Sequence, residues 1–158
     1  TCLGSRNHAA TEKEECVSYD FAAIKAKHTV VMCHGVFDVL HHGHLYLFKT
    51  AREYGDYLIV SLVGDAFVQK GPGRPMFNER QRSELLSAFR QVDKVVITRG
   101  PGWWSDHLRN YTPDFYVRGD EGLKLPEQET LDELLVLTVL IDKTDSSTTS
   151  ILDRVRKT

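Results

Sequence analysis

The sequence predicts a layered α/β fold, in which a parallel sheet of about five strands is flanked by helices. Short apolar, β-branched runs alternate along the chain with segments whose apolar residues recur at helical spacing. This alternation is typical of parallel sheets, because each parallel connection needs a crossover that is usually a helix. The length of 158 residues, with 41% hydrophobic and 27% charged side chains, fits one globular domain.

The first strand and helix lie where the apolar pattern changes period. Residues 29–37, TVVMCHGVF, form an apolar run that is too short for a typical helix and ends in a turn-prone segment, which predicts a buried strand. Residues 41–55 carry apolar side chains near helical spacing from Leu45 to Ala51, and Gly55 is predicted to end this helix.

The same pattern repeats through the rest of the chain. Further strands are predicted over residues 56–64, 94–98, 114–119 and 136–141, and further helices over residues 78–91, 103–111, 126–135 and 147–158. In the helix that Asn78 caps, Leu85, Leu86 and Phe89 are predicted to share one apolar face. Residues 1–20 are polar and predict a flexible arm or linker before a domain over residues 21–158.

Right-handed crossovers between these strands make the predicted fold Rossmann-like, with ligands bound at the carboxyl ends of the strands. Neither GxGxxG nor GxxxxGK[ST] occurs after a strand, which excludes the common dinucleotide and Walker phosphate motifs.

Charge and cysteine content exclude several function classes. The net charge is −2, from 22 acidic and 20 basic side chains, which argues against nucleic-acid binding through a broad basic face and against membrane binding. No apolar run is long enough to span a bilayer, and the first residues are polar where a secretory signal would be apolar. Three scattered cysteines favour a reducing compartment, so we expect a cytoplasmic protein.

The most informative segment follows the first strand and reads GVFDVLHHGH, residues 35–44. His41 and His44 are three residues apart at the start of a helix, so their imidazoles are predicted to lie on one face beside backbone N–H groups and the positive end of the helix dipole. Gly35 and Gly43 lack side chains where a phosphate would approach the backbone. The spacing predicts a site that stabilises charge on a phosphoryl group.

This segment resembles the HxGH signature of the cytidylyltransferase-like nucleotidyltransferases, which follows a GxFDxxH turn. The resemblance extends from about Val30 to the C-terminal helix, and includes glycerol-3-phosphate, choline-phosphate and ethanolamine-phosphate cytidylyltransferases and heptose-phosphate adenylyltransferases. It implies in-line attack of a phosphate monoester on the α-phosphorus of a nucleoside triphosphate (NTP), release of pyrophosphate, Mg²⁺ bound with the NTP and a homodimer. No metal is expected to be held by protein side chains alone.

The resemblance also assigns roles to residues along the chain. His41, His44, Lys70 and Arg82 are implied to be catalytic through contacts with the triphosphate. The implied nucleotide-binding residues are Gly35, Val36, Phe37, Gly43, Arg118, Gly119, Asp120, Ser147, Thr148 and Thr149. Asp38 and Arg74 are predicted to contact the acceptor phosphate. The sequence departs from the family's RTEGISTT signature, because Asp142 stands at the arginine position and residues 143–146 replace TEGI.

The predicted activity is transfer of CMP from CTP to a phosphorylated sugar, polyol or similar small phosphate monoester. An ATP-dependent adenylyltransferase acting on a heptose-phosphate-like sugar is the alternative, because KGPGRP resembles those enzymes almost as well. A non-catalytic nucleotide-binding regulatory domain, and one module of a bifunctional enzyme, are further alternatives. A zinc site formed by His34, His41, His42 and His44 is the competing interpretation of the histidines, although it gives Gly43 no purpose.

Overall fold

A computed structural model describes residues 21–100, 103–119 and 127–142. The strands are β1 (Val30–Gly35), β2 (Tyr57–Leu62), β3 (Lys94–Ile97), β4 (Phe115–Gly119) and β5 (Leu137–Ile141). The helices are α1 (His42–Tyr54), α2 (Glu79–Ser87), α3 (Trp103–Tyr111) and α4 (Gln128–Glu133), and a 3₁₀ turn spans Asp65–Phe67. The predicted arm over residues 1–20 and the predicted helix over residues 147–158 lie outside the described residues.

All five strands pair in parallel, in the spatial order β3-β2-β1-β4-β5, which confirms the Rossmann-like α/β prediction. The chain moves outward from β1 through β2 to β3, and then returns to the other side of β1 for β4 and β5. The direction of winding therefore reverses between β1 and β4. In sheets of this type the crevice at the carboxyl ends of such neighbouring strands is where ligands bind.

Alternate residues of the central strands bury their side chains in two separate apolar layers. On one face, Val31 and Cys33 of β1 pack with Phe48 of α1 and Leu86 of α2. On the other face, Val30 and Met32 pack with residues of α3 and α4, including Leu108 and Leu131. Helices α1 and α2 therefore cover one face of the sheet, and α3 and α4 cover the other.

Two details of the predicted elements differ in the structure. Helix α2 ends at Ser87 rather than residue 91, and Leu85 is 44% exposed while Leu86 is fully buried. The prediction that Leu85 shares the buried face is wrong. Adjacent helical residues point about 100° apart, and the side of α2 that packs against the sheet is the side that carries Leu86. Phe89 does pack against the core, beyond the end of the helix.

Gly55 ends helix α1 as predicted, but not through a left-handed backbone. Its φ is −172°, which is extended backbone open to any residue. A Cβ atom at Gly55 would lie 2.4 Å from the Thr29 carbonyl oxygen and 2.6 Å from Cγ2 of Val31. Glycine is needed here because the helix end passes directly over the start of β1.

None of the helices in the described ranges combines the length and the apolar character that crossing a membrane requires.

Candidate active site

The two histidines of the HxGH segment cap helix α1 and lie against each other. His41 is the N-cap residue in extended conformation, and its Nδ1 accepts a hydrogen bond from the Gly43 N–H at 3.1 Å. Nδ1 of His44 accepts the His41 N–H at 3.3 Å, which completes a reciprocal capping box. The ring centroids are 3.8 Å apart with the planes inclined by 30°, so the imidazoles lie side by side as the spacing predicts.

These hydrogen bonds fix which nitrogen of each ring carries a proton. Because each Nδ1 accepts from a backbone N–H, the proton of each neutral ring resides on Nε2. Burial, with the charge of Lys70 and the neighbouring His42, lowers the pKa of His41. Burial, His41 and Lys70 lower the pKa of His44 to about 3. At neutral pH the pair therefore offers two neutral N–H donors without adding charge to the pocket.

The lowered pKa of His44 predicts an acid-sensitive fold. The unfolded chain protonates this imidazole near pH 6.5 and the folded chain does so only near pH 3, so the unfolded state binds more protons between these values. The free energy of unfolding should therefore fall as pH drops from 7.5 to 5, with a contribution from His44 on the order of 2 kcal/mol. Urea unfolding at pH 7.5 and at pH 5 measures this change in the free energy of unfolding.

In that comparison, the His44→Gln variant should lose less stability between pH 7.5 and pH 5 than the wild-type chain. The control is His42→Gln, which removes an exposed imidazole two residues away in the same helix. An unchanged pH dependence in His44→Gln would contradict the assigned protonation state.

Phe37 forms the wall behind the histidine pair. Its backbone has a φ of 48°, which turns the chain out of β1, and its buried ring contacts the edge of His44 at a centroid distance of 5.2 Å. A Cβ at Gly35 would lie 3.2 Å from the Phe37 ring, so glycine here makes room for Phe37. Gly35 was predicted to leave room for a phosphate near the backbone. The structure adds a packing reason for glycine at this position, which the sequence does not reveal.

Gly43 has a similar second role in the turn. Its backbone N–H is used by His41 Nδ1, so this group is not one of the unpaired helix N–H donors expected from the sequence. The structure brings Gly43 and both histidines together in one turn, as predicted. The donors that the pair leaves for a ligand are therefore its Nε2–H groups rather than the N–H of Gly43.

The loop from residue 69 to residue 77 is tied to the same turn by Asp38. The buried Asp38 carboxylate accepts the backbone N–H of Met76 at 2.6 Å and of Phe77 at 3.4 Å, and its Oδ2 lies 2.6 Å from Nε of Arg74. Asp38 and Arg74 were predicted to contact the acceptor phosphate, whereas here they bind each other and the loop. The exposed Lys70, on the same loop, acts on both histidines through its charge.

Arg82 occupies a different environment from the predicted one. Its side chain is fully buried, and its guanidinium donates to the carbonyls of Phe77, Val36 and Val63 and to the Asp65 carboxylate. These bonds join the turn after β1, the end of β2 and the start of α2. In the described structure its donors are directed at protein oxygens of the framework around the site, and the predicted contact of Arg82 with the triphosphate stays a prediction.

The predicted nucleotide residues of β4 lie at the carboxyl end of that strand. Arg118 is partly buried and lies 3.6 Å from Glu127, which in turn accepts the hydroxyl of the buried Tyr116 at 2.7 Å. Within the described part of the chain, no atom lies within 4 Å of the position that a Cβ at Gly119 would take. The remaining predicted residues, Asp120, Ser147, Thr148 and Thr149, lie outside the described residues.

A second polar group lies near Arg118, whose charge acts on His34, and the sequence indicated His34 only as a possible zinc ligand. His34, Ser61 and His107 are joined by hydrogen bonds on the α3 face of the sheet. The only sequence signal is a histidine and a serine within otherwise apolar strands, which does not reveal their partner on α3.

The structure gives no support to the zinc interpretation. Across residues 21–100, 103–119 and 127–142, no group of three or more His, Cys, Asp or Glu side chains is arranged to hold a metal ion. His34 and the His41–His44 pair belong to different hydrogen-bond networks.

Comparison with known proteins agrees with this geometry. The family model described as cytidylyltransferase-like matches residues 32–153, which is most of the chain and includes the whole HxGH segment. The chain belongs to the cytidylyltransferase-like family. Relatives of this chain within the family include nucleotidyltransferases of both the cytidylyl and the adenylyl type.

Three relatives illustrate the range within this family. The chain is 37% identical to glycerol-3-phosphate cytidylyltransferase from Staphylococcus aureus, over 58% of this chain and 69% of the relative. It is 37% identical to FAD synthase from Pyrococcus horikoshii, over 79% of this chain and 90% of that protein. It is 35% identical to the bifunctional protein HldE from Desulfatibacillum aliphaticivorans, over 80% of this chain but only 27% of HldE.

Among solved structures, the lipopolysaccharide core biosynthesis protein from Thermoplasma volcanium superposes with a TM-score of 0.65 at 29% identity. The match covers 75% of this chain and 99% of that one. The cytidylyltransferase-like fold seen here is therefore shared across nearly the whole length of that protein.

Proposed function

We propose that this cytidylyltransferase-like domain transfers a nucleoside monophosphate from an NTP to a small phosphate monoester. An oxygen of the acceptor phosphate attacks the α-phosphorus, the bond to the bridging oxygen between the α- and β-phosphorus breaks, and pyrophosphate leaves with the electron pair of that bond. The observation that carries the proposal is the stacked His41–His44 pair, with both Nε2 atoms protonated at the end of β1.

The roles of the chain's own residues follow from their protonation and charge. The acceptor phosphate is ionised at neutral pH, so the reaction needs no strong general base. His41 and His44 donate hydrogen bonds to oxygens of the α-phosphate, whose charge must be stabilised as the fifth bond forms. Lys70 supplies positive charge for the leaving pyrophosphate from its loop. Asp38 and Arg82 keep the loop and the turn in place.

Mg²⁺ enters this proposal bound to the triphosphate. The oxygens of the triphosphate are the hard ligands that Mg²⁺ prefers, and the ion commonly needs few ligands from the protein. This fits a site whose described residues contain no three-ligand metal cluster. The ion would supply charge neutralisation of the β- and γ-phosphates.

ATP is the nucleotide that we propose, although the sequence analysis placed CTP first. The matches to HldE and FAD synthase extend over 80% and 79% of this chain, whereas the match to glycerol-3-phosphate cytidylyltransferase extends over 58%. The FAD synthase match supports an adenylyl donor, because FAD is itself an adenylyl derivative. The KGPGRP segment, which resembles heptose-phosphate adenylyltransferases, supports the same donor. CTP is the second candidate, supported by the cytidylyltransferase match.

We further propose that the domain can work as a module of a larger enzyme. HldE is a bifunctional protein, and this chain matches about a quarter of its length. The predicted homodimer and the predicted cytoplasmic location remain predictions.

Calorimetric titration with ATP, CTP, GTP and UTP in the presence of Mg²⁺ tests the proposal without knowledge of the acceptor. We expect ATP to bind at least about tenfold more tightly than the other three, a difference of about 1.4 kcal/mol. Selective CTP binding would replace ATP by CTP in the proposed reaction. Binding of an NTP without pyrophosphate release for any phosphorylated acceptor would favour the regulatory-domain alternative, and binding of none would contradict both.

A further inference from the structure

Three polar side chains form a hydrogen-bonded relay on the α3 face of the sheet. Oγ of Ser61 lies 2.8 Å from Nδ1 of His34 and 2.7 Å from Nδ1 of His107. His34 and Ser61 are direct neighbours in the register of β1 and β2, and His107 reaches them from α3. Ser61 is 1% exposed, whereas both rings are partly exposed. We call these residues the His34–Ser61–His107 relay, and the proposed reaction has so far given it no role.

The relay fixes the protonation of its two rings. Burial lowers the pKa of both imidazoles, that of His34 to about 3, so both are neutral at pH 7. A hydroxyl has one proton, so Ser61 can donate to Nδ1 of one ring and must accept from Nδ1–H of the other. The two rings therefore carry opposite tautomers, and the tautomer of His107 is coupled to that of His34 through Ser61.

The relay lies at the place where a second substrate would meet the histidine pair. His34 is the penultimate residue of β1, and Arg118 is the penultimate residue of the adjacent β4. The charge of Arg118 contributes to the lowered pKa of His34, so the guanidinium acts directly on the relay. The His41–His44 pair starts on the α1 face just after the same strand. A ligand on the relay and a triphosphate on the pair would thus flank the carboxyl end of β1.

The groups around the relay favour one class of acceptor. Two carboxylates lie beside Arg118 and His107. Glu127 is buried and holds the Tyr116 hydroxyl beside Arg118, while Asp106 is an exposed neighbour of His107. Arg118 and Glu127 lie 3.6 Å apart, so their charges largely offset each other, and the hydrogen-bonding capacity of His107 rather than net charge distinguishes possible acceptors. A ligand hydroxyl can pair with either tautomer of His107, because it both donates and accepts.

We propose, on the basis of the function proposed above, that His107 binds a hydroxyl group of the acceptor and that Ser61 and His34 hold its ring in one tautomer. His107 is then a specificity residue, and the other two are positioning residues. The acceptor is accordingly a phosphorylated sugar or polyol, and a phosphorylated amino alcohol, whose ammonium group can only donate, binds more weakly.

The direct test measures acceptor binding to the full chain saturated with a non-hydrolysable NTP analogue. The probes are a hexose 1-phosphate, glycerol 3-phosphate and phosphoethanolamine. We expect phosphoethanolamine to bind at least about tenfold more weakly than the better of the other two. Equal or tighter binding of phosphoethanolamine, or no binding of either hydroxylated probe, would overturn the proposal.

Two variants separate recognition from support of the fold. His107→Asn keeps a polar atom near the Nδ1 position for Ser61 while it removes Nε2, and it should weaken binding of the hydroxylated probe by about tenfold with unchanged NTP affinity. The control is His28→Asn, an exposed histidine before β1, which should bind every probe like the wild-type chain. Equal loss of NTP and acceptor binding, or no loss, in His107→Asn would refute the assignment.

The tautomers give a readout that needs no ligand. Nitrogen-detected NMR of the imidazoles should show His34 and His107 as neutral rings of opposite tautomer at pH 7, and identical tautomers would overturn the relay. Acceptor binding without pyrophosphate release from the natural NTP would refute the proposed reaction but support this inference. If pyrophosphate is released and His107→Asn changes neither the KM for the acceptor nor kcat, the result would support the proposed reaction and refute this inference.

Discussion

Replacing His44 by alanine is expected to lower turnover by at least about 100-fold while the Kd of the NTP changes by less than about tenfold. The Nε2–H of His44 is a fixed, neutral donor held by the His41 N–H and by the Phe37 ring. A preformed donor gains most where charge develops in the transition state, so its loss affects kcat more than ground-state binding. Steady-state pyrophosphate release and calorimetric NTP binding measure the two effects separately.

His41 requires a variant that keeps the helix start intact. Asparagine is a good N-cap residue, so His41→Asn preserves the cap of α1 while it removes the imidazole, and it should show a comparable loss of turnover. The matched control is His42→Ala, which removes the exposed histidine between the two and should retain near-normal turnover. Normal turnover in either His44→Ala or His41→Asn would show that the pair does not stabilise the reacting phosphate.

The second large effect is on stability. Arg82→Leu should reduce the free energy of unfolding by about 3–5 kcal/mol, because it leaves the Val36, Val63 and Phe77 carbonyls without their guanidinium donor and removes the partner of Asp65. Arg82→Lys should recover only a small part, since an ammonium group cannot reproduce the planar fork of donors. Urea denaturation measures both variants.

Arg80→Leu is the control for Arg82, because Arg80 is exposed on the same helix and should tolerate the change within about 0.5 kcal/mol. A fully stable Arg82→Leu variant that no longer binds NTP would contradict the framework role. It would instead support the sequence-based prediction that Arg82 reaches the triphosphate.

The sheet and the histidine turn could be predicted from the sequence because local signals specify them. The runs of β1 and β2 are nearly continuous in apolar residues, with His34 and Ser61 near their ends, as is typical of buried parallel strands. The spacing of His41 and His44 is enough to bring two rings onto one side of a helix start. The charge of Lys70 acts on both histidines, as a loop that follows β2 over the carboxyl edge of the sheet allows, and its predicted contact with the triphosphate stays a prediction.

The partners of charged side chains could not be predicted in the same way. Arg82 has the sequence surroundings of a solvated helix residue, and its burial depends on carbonyls 46 and 19 residues earlier in the chain. Asp38 and Arg74 both resemble phosphate-site residues in isolation, and only the folded loop brings them together. Ser61 meets His34 and His107 across separations of 27 and 46 residues, which no local pattern encodes.

The most direct test of the proposed reaction follows the α-phosphate itself. Wild-type protein is mixed with ATP or CTP labelled at the α-phosphate, Mg²⁺ and a hexose 1-phosphate or glycerol 3-phosphate, and the labelled products are separated. The account predicts that the label appears in a nucleotidyl-acceptor conjugate, with one pyrophosphate released for each conjugate formed. Label that stays in a nucleoside diphosphate, with release of inorganic phosphate, would show cleavage at the γ-phosphate and would contradict the role given to His41 and His44.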